Sequence, residues 1–407
     1  MAVKPEYKQT EVGVIPKEWT AKPLGELSEF ITSGSRGWAA FYSDQGALFI
    51  RSQNVRAGRL DFDDSQFVIP PQGAEGSRTR VKRNDLLITI TGNSVGNVAL
   101  VEHEFDEAYI SQHVGLVRLS ETNLGRYACL FLSPGSPGNR QIWASQSGQS
   151  KPGLTLRNLK DFWVVLPLAE AEQRSIVTAL GDMDALQDAL ERLITKKRGL
   201  KQATMQQLLT GKIRLPGFRG KWEVKRLGEI CEIAMGRTPP RLNKALWGRG
   251  HKWLSISDLQ SKVVSESKEE ITELAASAME VIPKGTLLMS FKLSIGRLCF
   301  AGCDLYTNEA ICSFKNLQAS GDYLYYALGR TDFSLYGKQA VKGYTLNKES
   351  LKTVEVQLPP PPEQSAIANV LSDMDEELAA LEHRLTKTLA LKQGMMQELL
   401  TGRTRLL

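Results

Sequence analysis

The chain of 407 residues is 42% hydrophobic and 24% charged, a globular balance without the bias of a disordered segment, and its length predicts two or three domains rather than one core. A formal charge of +6, from 51 basic and 45 acidic residues, permits a polyanionic partner without arguing for one. No apolar run reaches the ~18 residues of a membrane span and the N-terminal segment has no apolar stretch of signal-peptide length, so the expected location is the cytoplasm, with no membrane partner.

In chain order, residues 1–166 form the first globular segment, with Leu24-Gly25-Glu26 following Trp19. Short β-branched runs bounded by glycine and polar turns come next: Leu48 to Val55, Asn84 to Leu100, Tyr109 to Val114 and Gly153 to Leu168. They predict a mixed α/β domain. Residues 167–214 predict a long helix that starts after a proline segment and stops at Gly211, a residue able to take the left-handed C-cap conformation. Leu180, Met183, Leu190, Ile194 and Leu208 form its apolar stripe, which Gln187, Lys197, Lys201 and Thr204 weaken. Residues 215–358 predict a second globule, opening with Trp222 and Leu227-Gly228-Glu229. Residues 359–407 predict a second long helix. There Leu371, Leu378, Leu385 and Leu399 recur in heptad phase with one interruption at Lys392, and Met374, Leu381 and Met395 occupy the complementary seam. About 40 residues at ~1.5 Å each make a rod of roughly 60 Å.

The two halves repeat. An offset of 191 residues places Glu172-Gln173 on Glu363-Gln364 and Asp182-Met183-Asp184 on Asp373-Met374-Asp375. It also places "LLTGKIRL" on "LLTGRTRL". The globules align more faintly, "LLITITGNSVG" with "LLMSFKLSIG" and "YISQHV" with "YTNEAI". A narrow stripe on so long a helix must be covered. A homo-oligomeric coiled coil would do so, but a heptad stripe written twice in one chain has its partner already attached, which favours antiparallel pairing within the chain. The expected fold class is therefore α+β. It comprises two mixed α/β globular domains joined by two long helices in an intramolecular antiparallel coiled coil, with a pseudo-two-fold internal repeat.

The order of parts, the repeated helix ends, the Trp-x4-Leu-Gly-Glu openings and the "ISQHV"/"TNEAI" strands resemble the specificity subunit of type I restriction-modification systems across essentially the whole chain. The resemblance implies that each globule reads one half of a split sequence in double-stranded DNA. It implies too that the helices space the globules and dock two DNA-methyltransferase (modification) subunits, with restriction/translocase subunits as further partners. Because the globules diverge in sequence, the target is expected to be bipartite and asymmetric. The chain itself would hold no cofactor; S-adenosylmethionine, ATP and Mg would belong to the partner subunits.

Family position and side-chain chemistry together nominate the DNA-binding residues, since Arg, Lys, Asn and Gln can bond base edges in pairs and glycine lets a loop approach phosphates. In the first globule these are Arg51, Ser52, Gln53 and Asn54, then Asn93 and Ser94 in a turn with Gly92 and Gly96, then Gln112 and His113, then Gln149 and Lys151. In the second they are Ser255, Ser257 and Asp258, then Lys292, Ser294 and Arg297, then Asn308 with Glu309, then Lys338, Lys342 and Tyr344. Solvated turn chemistry is the plain alternative for each polar loop. The basic run Ser77 to Arg83 could contact phosphates or form an exposed hairpin.

Catalytic motifs are missing from the sequence. It contains no Asp/Asn-Pro-Pro-aromatic tetrapeptide, Walker loop or HExxH, and "TGNSVG" lacks the strand–loop–helix context of a cofactor loop. Four scattered histidines support no nucleophile triad. Five cysteines without a CxxC knuckle or neighbouring histidine read as buried reduced thiols rather than a zinc site. The expected role is thus non-enzymatic recognition within a methylating and restricting complex. A protein-protein adaptor built on a coiled coil is the alternative.

Overall fold

A computed structural model describes residues 6–70, 74–146, 153–292, 294–340 and 343–406. The chain divides into two compact units, Met1–Glu191 with His383–Leu407, and Arg192–Glu382. Both divisions fall inside the long helices, Glu170–Leu208 and Pro361–Leu399, so each unit owns part of each helix.

In the first unit, Ser28–Ser33, Val114–Leu119, Leu86–Thr89 and Val98–Leu100 form an antiparallel sheet in that order. A second sheet holds the parallel pair Ala108–Ile110 and Ala47–Ile50, followed by Phe67–Val68 and Tyr42–Ser43. Leu86 to Thr89 are buried on both faces, as their continuous apolar and β-branched run requires. A two-stranded ribbon, Trp19–Pro23 with Trp163–Pro167, leads into the first long helix.

The second unit repeats the plan with changes. Its main sheet runs Glu232–Met235, Ile311–Lys315, Leu287–Ser290, Leu298–Ala301 and Val263–Val264. Its second sheet is Glu269–Ile271, Trp247–Leu254 and Tyr306–Thr307, the last two strands parallel. The ribbon Glu223–Arg226 with Glu355–Leu358 leads into the second long helix.

Inside each unit the helix segments run antiparallel, and the repeat makes the same contacts twice. In the first unit Lys392 pairs with Asp184, and Ile176, Leu180, Met396 and Leu399 share one core. In the second, Lys201 pairs with Asp375, Arg198 reaches Glu382 at 2.6 Å, and Leu208, Ile367 and Leu371 share a core. The lysines that break the apolar stripe in sequence are therefore answered by carboxylates on the facing segment, Lys201 and Lys392 by an aspartate and Lys197 by Glu377 at 2.6 Å. Gly211 and Gly402 end the repeated "LLTG" phrase at φ 66° and 68°, the left-handed conformation expected of a helix C-cap.

Each unit is closed by a buried carboxylate. Glu172, 2% exposed, accepts Arg405 Nε at 2.5 Å, Arg405 Nη2 at 2.8 Å and Trp19 Nε1 at 3.3 Å. Glu363, fully buried, accepts Arg214 Nε at 2.9 Å, Arg214 Nη2 at 2.5 Å and Trp222 Nε1 at 3.2 Å. Both carboxylates stand in the first turn of their helix, where the helix dipole favours negative charge.

The run Ser77 to Arg83 is not the exposed hairpin that its composition allowed. It ends the short helix Ala74–Thr79, and Arg78 donates to Ser33 O at 2.7 Å and Ser35 Oγ at 2.5 Å. Those bonds fix the exit of the strand Ser28–Ser33. Cys129, Cys231, Cys299 and Cys312 are buried and Cys303 is half-buried; burial pushes the thiols of Cys129 and Cys231 up to about 11.

Candidate nucleic-acid interface

Strand pairing in the first unit delivers three of the nominated loops to one edge. The parallel pairing of Ala47–Ile50 with Ala108–Ile110 makes Ile50 O accept Ser111 N–H at 2.9 Å, so Arg51 and Gln112 leave the sheet side by side. Leu86–Thr89 lies antiparallel to Val114–Leu119, which brings the turn Thr91–Gly96 to the same place. Ile90 N–H donates to His113 O at 2.9 Å, and the Thr91 hydroxyl bonds His113 Nδ1. Ser94 Oγ reaches Ser52 O at 3.4 Å and Asn97 Nδ2 reaches Val55 O at 3.0 Å.

Within that edge the side chains divide by exposure. Gln53, Asn93 and His113 are exposed, while Arg51, Ser52, Ser94 and Gln112 are half-buried. The Arg51 guanidinium bonds the Asp64 carboxylate at 3.1 Å, and Gln53 Nε2 bonds the same carboxylate. Asn54 is 2% exposed and turned inward. Its Oδ1 accepts Arg51 N–H at 2.9 Å, and its Nδ2 donates to Asp61 O at 2.9 Å and Asp64 O at 3.0 Å. It braces the loop that presents Ser52 and Gln53. Asn54→Ala strands those backbone groups and is expected to cost about 1–3 kcal/mol, read as a lower denaturant midpoint; a midpoint equal to wild type would show that the brace is not needed.

The second unit builds the corresponding edge from different residues. Leu254 O accepts Asn308 N–H at 2.9 Å, matching the Ile50–Ser111 bond. Asp258 takes the place of Asn54, its Oδ2 accepting Ser255 N–H at 2.8 Å and Ser255 Oγ at 2.7 Å, its Oδ1 accepting Lys268 N–H at 3.1 Å. Ser257, Lys292, Ser294 and Arg297 are exposed. The turn carrying the last three is held by Ser290 Oγ, which accepts Arg297 N–H at 3.0 Å, and Gly296 takes φ 86° there as Gly96 takes 89°. Asn308 Oδ1 caps Ala310 N–H at 3.1 Å. The Thr238 hydroxyl bonds Glu309, and that bond, the backbone N–H of Glu309 and the nearby Lys292 and Arg241 hold its carboxyl below the usual range.

Sequence reasoning passed over one loop in each unit. Gly34 and Gly236 follow the first strand of the main sheet, and both are pressed against the nominated edge. A Cβ on Gly34 would stand 2.3 Å from Ile110 O, and one on Gly236 would stand 2.2 Å from Asn308 O. The close approach carries exposed Arg36 and Arg237 to the same edge. A glycine with an arginine one or two residues on, following each Leu-Gly-Glu opening at nearly the same distance, was the available signal.

Gln149, Lys151 and Lys342 lie outside the described residues. Lys338 and Tyr344 belong to the antiparallel strands Lys338–Ala340 and Gly343–Thr345. Among the described residues no group of three or more His, Cys, Asp or Glu is placed to hold a metal, and no helix is long and apolar enough to cross a membrane. What the edges offer is a row of hydrogen-bonding and cationic side chains on braced loops, suited to reading a surface by direct contact.

Residues 16–202 and 219–391 match the type I restriction modification DNA specificity domain. The chain is 34% identical to the type I restriction enzyme MjaIX specificity subunit of Methanocaldococcus jannaschii, over 38% of each chain. It is 24% identical to the putative type I restriction enzyme MjaX specificity subunit of the same organism, across 98% of this chain and 96% of that one. Among solved structures, the S subunit of a type I restriction-modification system from M. genitalium superposes with a TM-score of 0.60 at 14% identity, covering 98% of both chains. A chain from a study of type I R-M complex assembly and conformational transition gives 0.59 at 19% identity, over 96% of this chain and 99% of that one.

Proposed function

The chain belongs to the type I restriction modification DNA specificity family, and from that premise we propose that it reads a bipartite, asymmetric sequence in double-stranded DNA, one half with each unit. It is a recognition subunit and not itself an enzyme. The observation that carries the reading is the edge built twice on one plan and furnished differently. Gln53, Asn93, His113 and Arg36 are exposed polar groups of one, and Ser257, Lys292, Ser294, Arg297, Glu309 and Arg237 of the other. A shared plan supports a shared kind of ligand, while different donors and acceptors support different base sequences.

Two modification subunits are the partners that the helices suit best. Leu200 and Leu391 occupy equivalent positions on the two helices and are 52% and 57% exposed, an apolar contact offered twice to two copies of one partner. S-adenosylmethionine would be used by those subunits, and ATP with Mg by restriction/translocase subunits, all in the cytoplasm. The test is methylation mapping of the host genome with and without this gene. One split, asymmetric motif is expected to lose its methylation when the gene is deleted. An unchanged methylome would instead favour the protein-protein adaptor.

A further inference from the structure

We propose that Leu242 is a wedge that enters between two adjacent base pairs of the half-site bound by residues 192–382. The inference rests on the reading that the chain recognises duplex DNA, and it adds a distortion of that duplex. Leu242 is 98% exposed. It sits in a turn closed by Asn243 N–H donating to Pro240 O at 3.2 Å.

The residues on either side of the leucine are tied to the body of the unit. Trp247 Nε1 donates to Pro240 O at 3.2 Å, and Asn243 Oδ1 accepts Ala245 N–H at 3.1 Å. Arg241, next to Leu242, lies 3.9 Å from the centre of the Trp247 ring and grips the Glu269 carboxylate through two bonds of 2.6 and 3.1 Å. Its charge is therefore spent on the scaffold.

The segment that carries the turn is basic, and the carboxylates that face it, Glu269, Glu270 and Glu273, are taken up by Arg241, Lys252 and His251. Between Glu232 and Asp258 the sequence carries Arg237, Arg241, Lys244, Arg249 and Lys252 and no acidic residue. Arg237, Lys244 and Arg249 are exposed and make no ion pair within 4 Å among the described residues. The turn also adjoins the candidate reading edge. Arg237 N–H donates to Thr307 O at 2.8 Å, Trp253 Nε1 donates to Arg237 O at 3.0 Å, and Thr238 bonds Glu309. An exposed apolar tip on a basic segment matches how proteins unstack a base step, with Arg237 and Lys244 available to grip phosphates while the side chain takes the space between bases.

The test uses the full chain assembled with its modification subunits, and duplexes carrying the motif found by methylation mapping with 2-aminopurine at successive adenines. The wild-type complex is expected to raise 2-aminopurine fluorescence several-fold at one step. Leu242→Ala should return that signal to the level of free duplex and weaken binding about tenfold, while Leu242→Met should keep both. A Leu242→Ala complex with wild-type affinity and wild-type fluorescence overturns the wedge and leaves sequence recognition intact. A wild-type complex that binds the motif no better than unrelated duplex overturns both.

Discussion

Replacing residues 20–165 with the corresponding segment of another family member is expected to change one half of the methylated sequence and leave the other half as it was. The exchanged segment holds every described reading candidate of the first unit, Arg51 to Asn54, Asn93, Ser94, Gln112 and His113. It leaves in place Trp19, Glu172, Arg405 and the helix residues Ile176, Leu180, Met396 and Leu399, on which the graft must close. The core of the second unit takes no residue from the exchanged segment. A mismatched base pair typically costs about 1–3 kcal/mol, and several acting together abolish recognition. The former half-site should therefore vanish from the methylome rather than fade. A chimera that methylates the original motif, or that alters both halves at once, would sink the assignment of one half-site to each unit.

Arg405→Met is expected to lower the melting temperature of the first unit by roughly 5–10 °C. The substitution leaves Glu172, 2% exposed, as a buried carboxylate that keeps, among the described residues, the indole of Trp19 as its one side-chain donor. Breaking a buried pair from one side costs about 3–5 kcal/mol. Arg405 keeps 23% of its side chain in solvent, so about 2–3 kcal/mol is the sounder expectation here. Adding Glu172→Gln should recover part of the loss, because the uncompensated charge is then gone. The second unit, with Arg214 still on Glu363, serves as the internal reference. Melting of Arg405→Met at the wild-type temperature would mean that the carboxylate finds water or another donor.

Much of this architecture was legible in the sequence because the repeat is strongest where the structure is most demanding. The Glu-Gln pair, the Asp-Met-Asp triplet and the Leu-Thr-Gly stop recur because each makes the same contact in each unit. Glu172 and Glu363 receive an arginine and an indole, Asp184 and Asp375 receive a seam lysine, and Gly211 and Gly402 take the left-handed cap. Heptad counting read Lys201 and Lys392 as interruptions because it scores apolarity and is blind to a partner far along the chain. The globules were harder. A polar loop is chosen for turn geometry or for a ligand, and its composition is the same either way. Asn54 and Asp258 illustrate this, the first nominated as a reader by side-chain chemistry and the second as its counterpart, for both spend their bonds bracing their own loops. Gly34 and Gly236 escaped notice for the opposite reason, since the backbone they bring close belongs to a strand about 75 residues later in the sequence.

The composition of the units has a consequence for synthesis on the ribosome. The second unit is one uninterrupted stretch, Arg192–Glu382, whereas the first needs His383–Leu407 beside Met1–Glu191. At the usual elongation rate of about 5–20 residues per second, the first unit's apolar helix face and the carboxylate of Glu172 wait on the order of 10–40 seconds for Met396, Leu399 and Arg405 to be made. The half translated first is thus the half completed last. During that interval its open face is the part of the nascent chain that a chaperone would hold, and a premature stop late in the message would disable the unit encoded at its start.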